Sequence, residues 1–238
     1  MSAVAVITAR GGSTRVPRKN IRPFHGKPII DYTIKAALES GCFDLVMVST
    51  EDREIADIAR EAGAAVPFMR SDATASGDVD LVHVLREVIA ELEKRGQTFD
   101  YLALLMPCAP FLNGDRLREA LRTIEEKGAD TVVSVVEFPS PVEHAMQIED
   151  DFLKAVFPDK LSAHTQDLKT SYADAAQFYV LRVARFLETG EIFMPRCAAV
   201  VLPELEAQDI DTEADWSLAE LKFEFLNYLS REVSVERK

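Results

Sequence analysis

Residues 4–30 read VAVITARGGSTRVPRKNIRPFHGKPII. An apolar run breaks into a loop of Gly, Ser, Thr and Arg, which is how a buried strand delivers a phosphate-cradling turn beyond its C-terminal end. Arg10, Arg15, Arg18, Lys19, Arg22 and Lys27 all precede the first carboxylate, Asp31. The whole chain is acidic, with 27 Lys and Arg against 40 Asp and Glu and a formal net charge of -13. One end of an acidic protein is therefore built to meet an anion, and a nucleoside triphosphate is the first candidate.

Outward from that stretch, strand-like and helix-like patterns alternate. After the apolar run over residues 3–9, Ile30, Ile34, Ala37 and Leu38 fall on one helical stripe that stops near Gly41, and residues 45–49 are strand-like. Ile55, Ile58, Ala59 and Ala62 mark a second helix closed by Gly63, and Leu81, Leu85, Val88, Ile89 and Leu92 a third. Residues 101–106 read as a buried strand, Leu117, Ala120, Leu121 and Ile124 as a fourth helix, and residues 131–136 as another strand. This alternation predicts an α/β fold, a mostly parallel sheet with helices on both faces and its ligand beyond the strand C-termini.

The alternation stops at Glu137. From there to Tyr172 the chain holds Pro139, Pro141 and Pro158, scattered aromatics and no helical stripe. A structureless loop of that length is unusual in a compact protein, so residues 137–172 are expected to form an inserted β-arm, used for dimerisation or to wall one side of the site. Pattern returns with strands over residues 177–183 and 198–202 and a terminal helix carrying Trp216, Ala219, Phe223 and Leu226 on one face, opened by a Thr212–Asp215 capping box. With 47% apolar content, residues 1–238 are expected to be a single domain.

The acidic balance outside the first thirty residues argues against a nucleic-acid or membrane surface. The three cysteines, Cys42, Cys108 and Cys197, are far apart and form no C-x-x-C pair, so neither a disulfide framework nor a zinc site is indicated. The apolar run at the start is too short for a signal peptide and no apolar stretch is long enough to span a bilayer, so a cytoplasmic protein is expected. There is no G-x-x-x-x-G-K-[ST] and no G-x-G-x-x-G, which disfavours P-loop phosphoryl chemistry and dinucleotide redox chemistry.

What stands instead is A-R-G-G-S-T-R-V-P-R-K-N-I followed by G-K-P-I-I. That string resembles the signature loop of sugar-activating nucleotidyltransferases, and its R-G-G-S and K-N elements are similar to the cytidylyltransferases that act on 3-deoxy-2-keto sugar acids. The resemblance continues in order through VSTEDREIA (residues 48–56), EAGAAVPFMR (61–70), PCAPFL (107–112), SVVEFPSP (134–141), TQDL (165–168), DAAQFY (174–179) and QDIDT (208–212). Within the CMP-sugar-acid synthetase family, EFPSP, TQDL and DAAQFY look most like the pseudaminic acid branch. The legionaminic, sialic and ketodeoxyoctonic acid branches are the near alternatives, a sugar-1-phosphate nucleotidyltransferase a more distant one, and a non-catalytic nucleotide-binding regulator the alternative from another class.

The resemblance implies a Rossmann-like nucleotidyltransferase fold, a homodimer, and a reaction in which a sugar hydroxyl attacks the α-phosphorus of CTP while pyrophosphate leaves. Such a site must neutralise roughly four phosphate charges, hold a divalent metal and align the nucleophile. Backbone N–H groups at Gly11, Gly12 and Ser13 can approach the phosphates, and Arg10, Arg18 and Lys19 can reach the β and γ groups. By the resemblance Asn20 contacts the nucleotide, and Arg70, Ser76 and Asp78 wall the cytidine pocket. Asp209 and Asp211, on one side of an extended segment, hold Mg²⁺, and Gln166, Asp174 and Gln177 form the sugar-acid pocket. Asp209, Asp211 and metal-bound water all remain open as general base. The chain departs from the family pattern at Met106, where the sialic acid branch has a cytosine-reading Gln, and at Cys108, usually Thr or Ser. It departs again at His164, often Arg, and at Ala176, usually Gly, a change that matters only if the backbone there has positive φ.

Overall fold

The computed structural model describes residues 2–13, 15–75 and 80–236. Strand β1 (Ala3–Thr8) is buried along its whole length, because successive side chains point to opposite faces of a sheet covered by helices on both sides. There follow a short hairpin, β2 (Pro23–Phe24) and β3 (Lys27–Pro28), then α1 (Ile30–Ser40), β4 (Leu45–Ser49), α2 (Arg53–Glu61), α3 (Asp72–Ala75), α4 (Leu81–Glu93), β5 (Tyr101–Leu105), α5 (Gly114–Glu126) and β6 (Thr131–Glu137). The chain continues through β7 (Met146–Glu149), β8 (Phe152–Ala155), β9 (Tyr172–Arg182), α6 (Val183–Thr189), β10 (Cys197–Leu202) and α7 (Glu213–Glu236).

Six strands form one sheet in the order β10-β6-β9-β5-β1-β4. β1 is parallel to β4 and β5, and β10 is parallel to β6. β9 runs antiparallel to both β5 and β6 and so joins two parallel halves. It begins at Tyr172, well before the strand start read from sequence, because Ala173 and Asp174 find ladder partners on β6 despite their low strand propensity. The register shifts between Val133 and Val135, and Ala176 on the facing strand takes φ 50°. Val183 is the first residue of α6 and not the last of a strand.

On one face of the sheet Ala5, Ile7, Val48, Ala103 and Phe178 pack against α1, α2 and α5; on the other Val4, Val6, Leu102, Leu104 and Tyr179 pack against α4 and α6. Fully burying a side chain such as Ile7 stabilises the fold by roughly 1.5–3 kcal/mol. A third cluster joins the two ends of the chain. Val16, Phe24 and Ile29 meet Ile210, Trp216 and Ala219, with Phe24 edge-on to Trp216 and to Phe223 and the Arg22 guanidinium 4.4 Å above the indole. The same contacts bring the loop after β1 up to the segment that precedes α7. That helix opens on the capping box: Asp215 Oδ2 accepts from the Thr212 N–H at 2.8 Å, and Thr212 Oγ1 from the Asp215 N–H at 3.2 Å.

Between β6 and β9 the chain leaves the sheet, and β7 and β8 pair as an antiparallel hairpin. Asp150 and Asp151 at its tip both have positive φ, the conformation a tight hairpin turn requires. Ile148, Phe152 and Leu153 on this hairpin are 75%, 73% and 64% exposed.

Candidate active site

The loop after β1, the turn after β5, the backbone at Ala176 and the segment before α7 enclose a cleft of about 280 Å³. Arg10, Ser13, Lys19, Asn20, Arg70, Asp209 and Asp211 line it, so seven residues expected at the nucleotide and metal sites come together. Met106, Cys108 and Ala176, where the chain departs from the family pattern, line it too. Ser76 and Asp78 lie outside the described residues.

Side chains help the backbone turns to hold the loop. Asn20 is buried; its Nδ2 donates to the Arg10 carbonyl at 2.9 Å and its Oδ1 accepts from Cys108 Sγ at 3.2 Å. Each end of the amide thus makes one bond inside the protein, which fixes Asn20 at the cleft wall with one N–H and one lone pair still unused. Burial pushes the Cys108 thiol up to about 12, so it stays protonated and able to donate.

Arg18 does not line the cleft. Its backbone is left-handed, with φ 55°, and its guanidinium grips Asp52 and Glu54 at the start of α2, the Asp52 hydrogen bond raising its pKa and lowering that of its partner. These two ion pairs tie the loop to the helix. Gly11 is likewise committed, since its N–H donates to Glu51 Oε1 at 2.7 Å and a Cβ there would overlap the Asp52 carboxylate. Gly12 is exposed, with open space where a Cβ would stand.

The remaining cations face the cleft. Arg10 lines it and has no carboxylate partner among the described residues. Lys19 Nζ donates to the Ile210 carbonyl at 2.5 Å and lies 3.4 Å from Asp211. Arg15, one of the six basic residues that precede Asp31, sits 3.0 Å from the other oxygen of Asp211. Arg70 is buried, donates to the Ser49 hydroxyl and carbonyl, and has its pKa lowered, chiefly by loss of hydration.

Asp209 and Asp211 converge because Ile210 between them is buried in the aromatic cluster, which leaves both flanking carboxylates to the cleft. Loss of hydration, and then the Asp211 charge, holds Asp209 above the ordinary carboxylate range. No cluster of three or more His, Cys, Asp or Glu suited to a metal occurs among the described residues. Two carboxylates are the protein share that Mg²⁺ takes when substrate phosphates and water complete its shell, so the pair fits that ion.

The expected sugar-acid residues do not gather here. Gln166 is exposed on a turn of the arm. Asp174 is exposed on β9, accepting from the Tyr179 hydroxyl at 2.5 Å and from the Ala176 N–H at 2.9 Å. Gln177 is 1% exposed and its amide donates to the Glu206 carbonyl. This corrects the expectation that it faces the cleft: a buried amide needs a partner, and a backbone carbonyl supplies one.

A family profile described as Cytidylyltransferase matches residues 4–189. A pseudaminic acid cytidylyltransferase of Campylobacter jejuni is 35% identical over 224 residues, covering 94% of this chain and 97% of that protein. The CMP-N,N'-diacetyllegionaminic acid synthase of Legionella pneumophila is 31% identical over 222 residues, covering 92% and 95%. Among solved structures, a CMP:2-keto-3-deoxy-manno-octonic acid synthetase complexed with CTP superposes with a TM-score of 0.68 at 16% identity, covering 96% of this chain and all of that one, a likeness of fold. With the profile spanning most of the sheet and relatives matching nearly end to end, the chain belongs to the cytidylyltransferase family.

Proposed function

We infer that the protein transfers CMP from CTP to the anomeric hydroxyl of a nonulosonic acid, with pseudaminic acid as the preferred substrate, and releases pyrophosphate. The observation that carries this reading is the meeting of Arg10, Lys19 and Arg70 with Asp209 and Asp211 around one cleft. Arg10 and Lys19 meet the β and γ phosphates through charge-assisted hydrogen bonds, and Arg70 walls the cytidine. Lys19, held by the Ile210 carbonyl, places its ammonium group beside Asp211. Asp209 and Asp211 would hold Mg²⁺, which supplies charge neutralisation at phosphate oxygens as pyrophosphate departs.

Pseudaminic acid is favoured by the Campylobacter relative and by the DAAQFY and TQDL stretches; the Legionella relative makes legionaminic acid the competing substrate. The test is pyrophosphate release from CTP with pseudaminic, legionaminic, sialic and ketodeoxyoctonic acids, with Mg²⁺ and with chelator. Pseudaminic acid should turn over fastest and chelator should abolish release. Turnover with a sugar-1-phosphate and with none of the four acids would defeat the reading. The exposed apolar hairpin supports a homodimer built on the arm. Among the described residues no helix is long and apolar enough to cross a membrane, which is compatible with work in the cytoplasm on soluble substrates.

A further inference from the structure

We propose that Glu51 is a positioning residue for the nucleotide, a carboxylate that fastens the loop after β1 to the Arg70 wall of the cleft. The proposal rests on reading the cleft as a CTP site. Glu51 stands just beyond the C-terminal end of β4, and its Oε1 accepts the Gly11 N–H at 2.7 Å. Its Oε2 is buried, has no hydrogen-bond partner, and lies 3.7 Å from Arg70 Nη1. Arg70 is in turn fixed by the hydroxyl and carbonyl of Ser49, the last residue of β4. One strand end therefore sets both the phosphate-facing loop and the buried guanidinium.

The neighbouring residue reinforces the arrangement, since the Asp52 carboxylate fills the space a Gly11 Cβ would need and grips Arg18. Glu51 does not line the cleft, so it acts through Gly11 and Arg70. A loop rich in Gly and Ser loses much freedom on meeting a ligand, and fastening it beforehand removes part of that cost from binding. An acceptor aimed at the Gly11 N–H is what this requires, and the charge facing Arg70 adds to it.

The experiment is calorimetric titration of the full chain with CTP and Mg²⁺, without sugar acid, alongside hydrogen exchange over residues 10–13. Glu51→Ala should weaken CTP binding by about ten-fold, the scale of one lost hydrogen bond to a charged group, and speed exchange over residues 10–13. Glu51→Gln, whose amide oxygen still accepts from Gly11, should stay within about three-fold of wild type with near-normal exchange. Should the alanine variant fail to fold, Glu51→Asp, too short to reach Gly11, should show the same weakening. Wild-type affinity in Glu51→Ala or Glu51→Asp overturns the proposal while leaving the CTP site intact, as does an equal loss in Glu51→Gln without faster exchange. A wild-type protein that binds no CTP overturns both.

Discussion

Gln177 acts from inside the protein. Its amide holds the Glu206 carbonyl, three residues ahead of Asp209, so Gln177→Leu should remove a part-buried hydrogen bond and cost about 1 kcal/mol. Urea denaturation should show that loss, with turnover reduced for both substrates alike; a selective rise in the KM for the sugar acid would return Gln177 to the sugar pocket. One residue back, Ala176 is left-handed at the cleft wall, its N–H held by Asp174. Ala176→Gly should relieve about 1–2 kcal/mol of strain and give back about 0.5–1 kcal/mol of chain entropy, for a net stabilisation of about 0–1.5 kcal/mol, read as a higher urea midpoint at unchanged m. A loss of stability would show that the conformation carries no strain. That Arg10, Ser13, Lys19, Asn20, Arg70, Asp209 and Asp211 line one cleft was legible in the sequence, because charge clustering and motif order belong to the chain itself. The sequence could not tell which polar groups are engaged within the protein: Arg18, Asn20 and Gln177 have the right chemistry, and their partners are distant in sequence or hidden in backbone carbonyls.

At the scale of elements, β1, β4, β5, β6 and β10 and the helices α1, α2, α4, α5 and α7 were legible from their periodicity, whereas the short β2, β3 and α3 were not. The antiparallel course of β9 was not, since direction is fixed by connection and pairing and leaves no periodic trace. α6 escaped because seven residues carry too little pattern to separate from a strand end. The β7–β8 hairpin makes the most direct prediction. Ile148 and Phe152 present large apolar surface to water, and a second copy of the chain is the proposed cover. Phe152→Glu should shift sedimentation from dimer to monomer at micromolar concentration while leaving the thermal transition of the sheet unchanged. If the wild-type chain already sediments as a monomer, the arm serves the protomer alone.

Across the whole molecule the net charge is -13, although the first thirty residues hold six basic side chains and no acidic one; at Asp209, loss of hydration and then the Asp211 charge oppose ionisation. Its pKa is raised, so ionisation disfavours the folded state; the penalty is absent below the unfolded value of about 3.9 and complete once pH passes the folded one. Asp209→Asn should therefore melt above wild type at neutral pH in chelator, with the advantage closing as pH falls below about 4. A difference constant across that range would place the effect outside titration. The sheet order has a temporal meaning as well. β5 and β6 are both made early, yet each waits for β9, which leaves the ribosome only after the arm. Until then one edge of β5 and both edges of β6 stay open, since β10 follows later still, and edges of that kind recruit other chains. Nascent or truncated chains ending before residue 172 are thus the form of this protein most exposed to aggregation, and a chaperone would find its client in that interval, before the last third of the chain is complete.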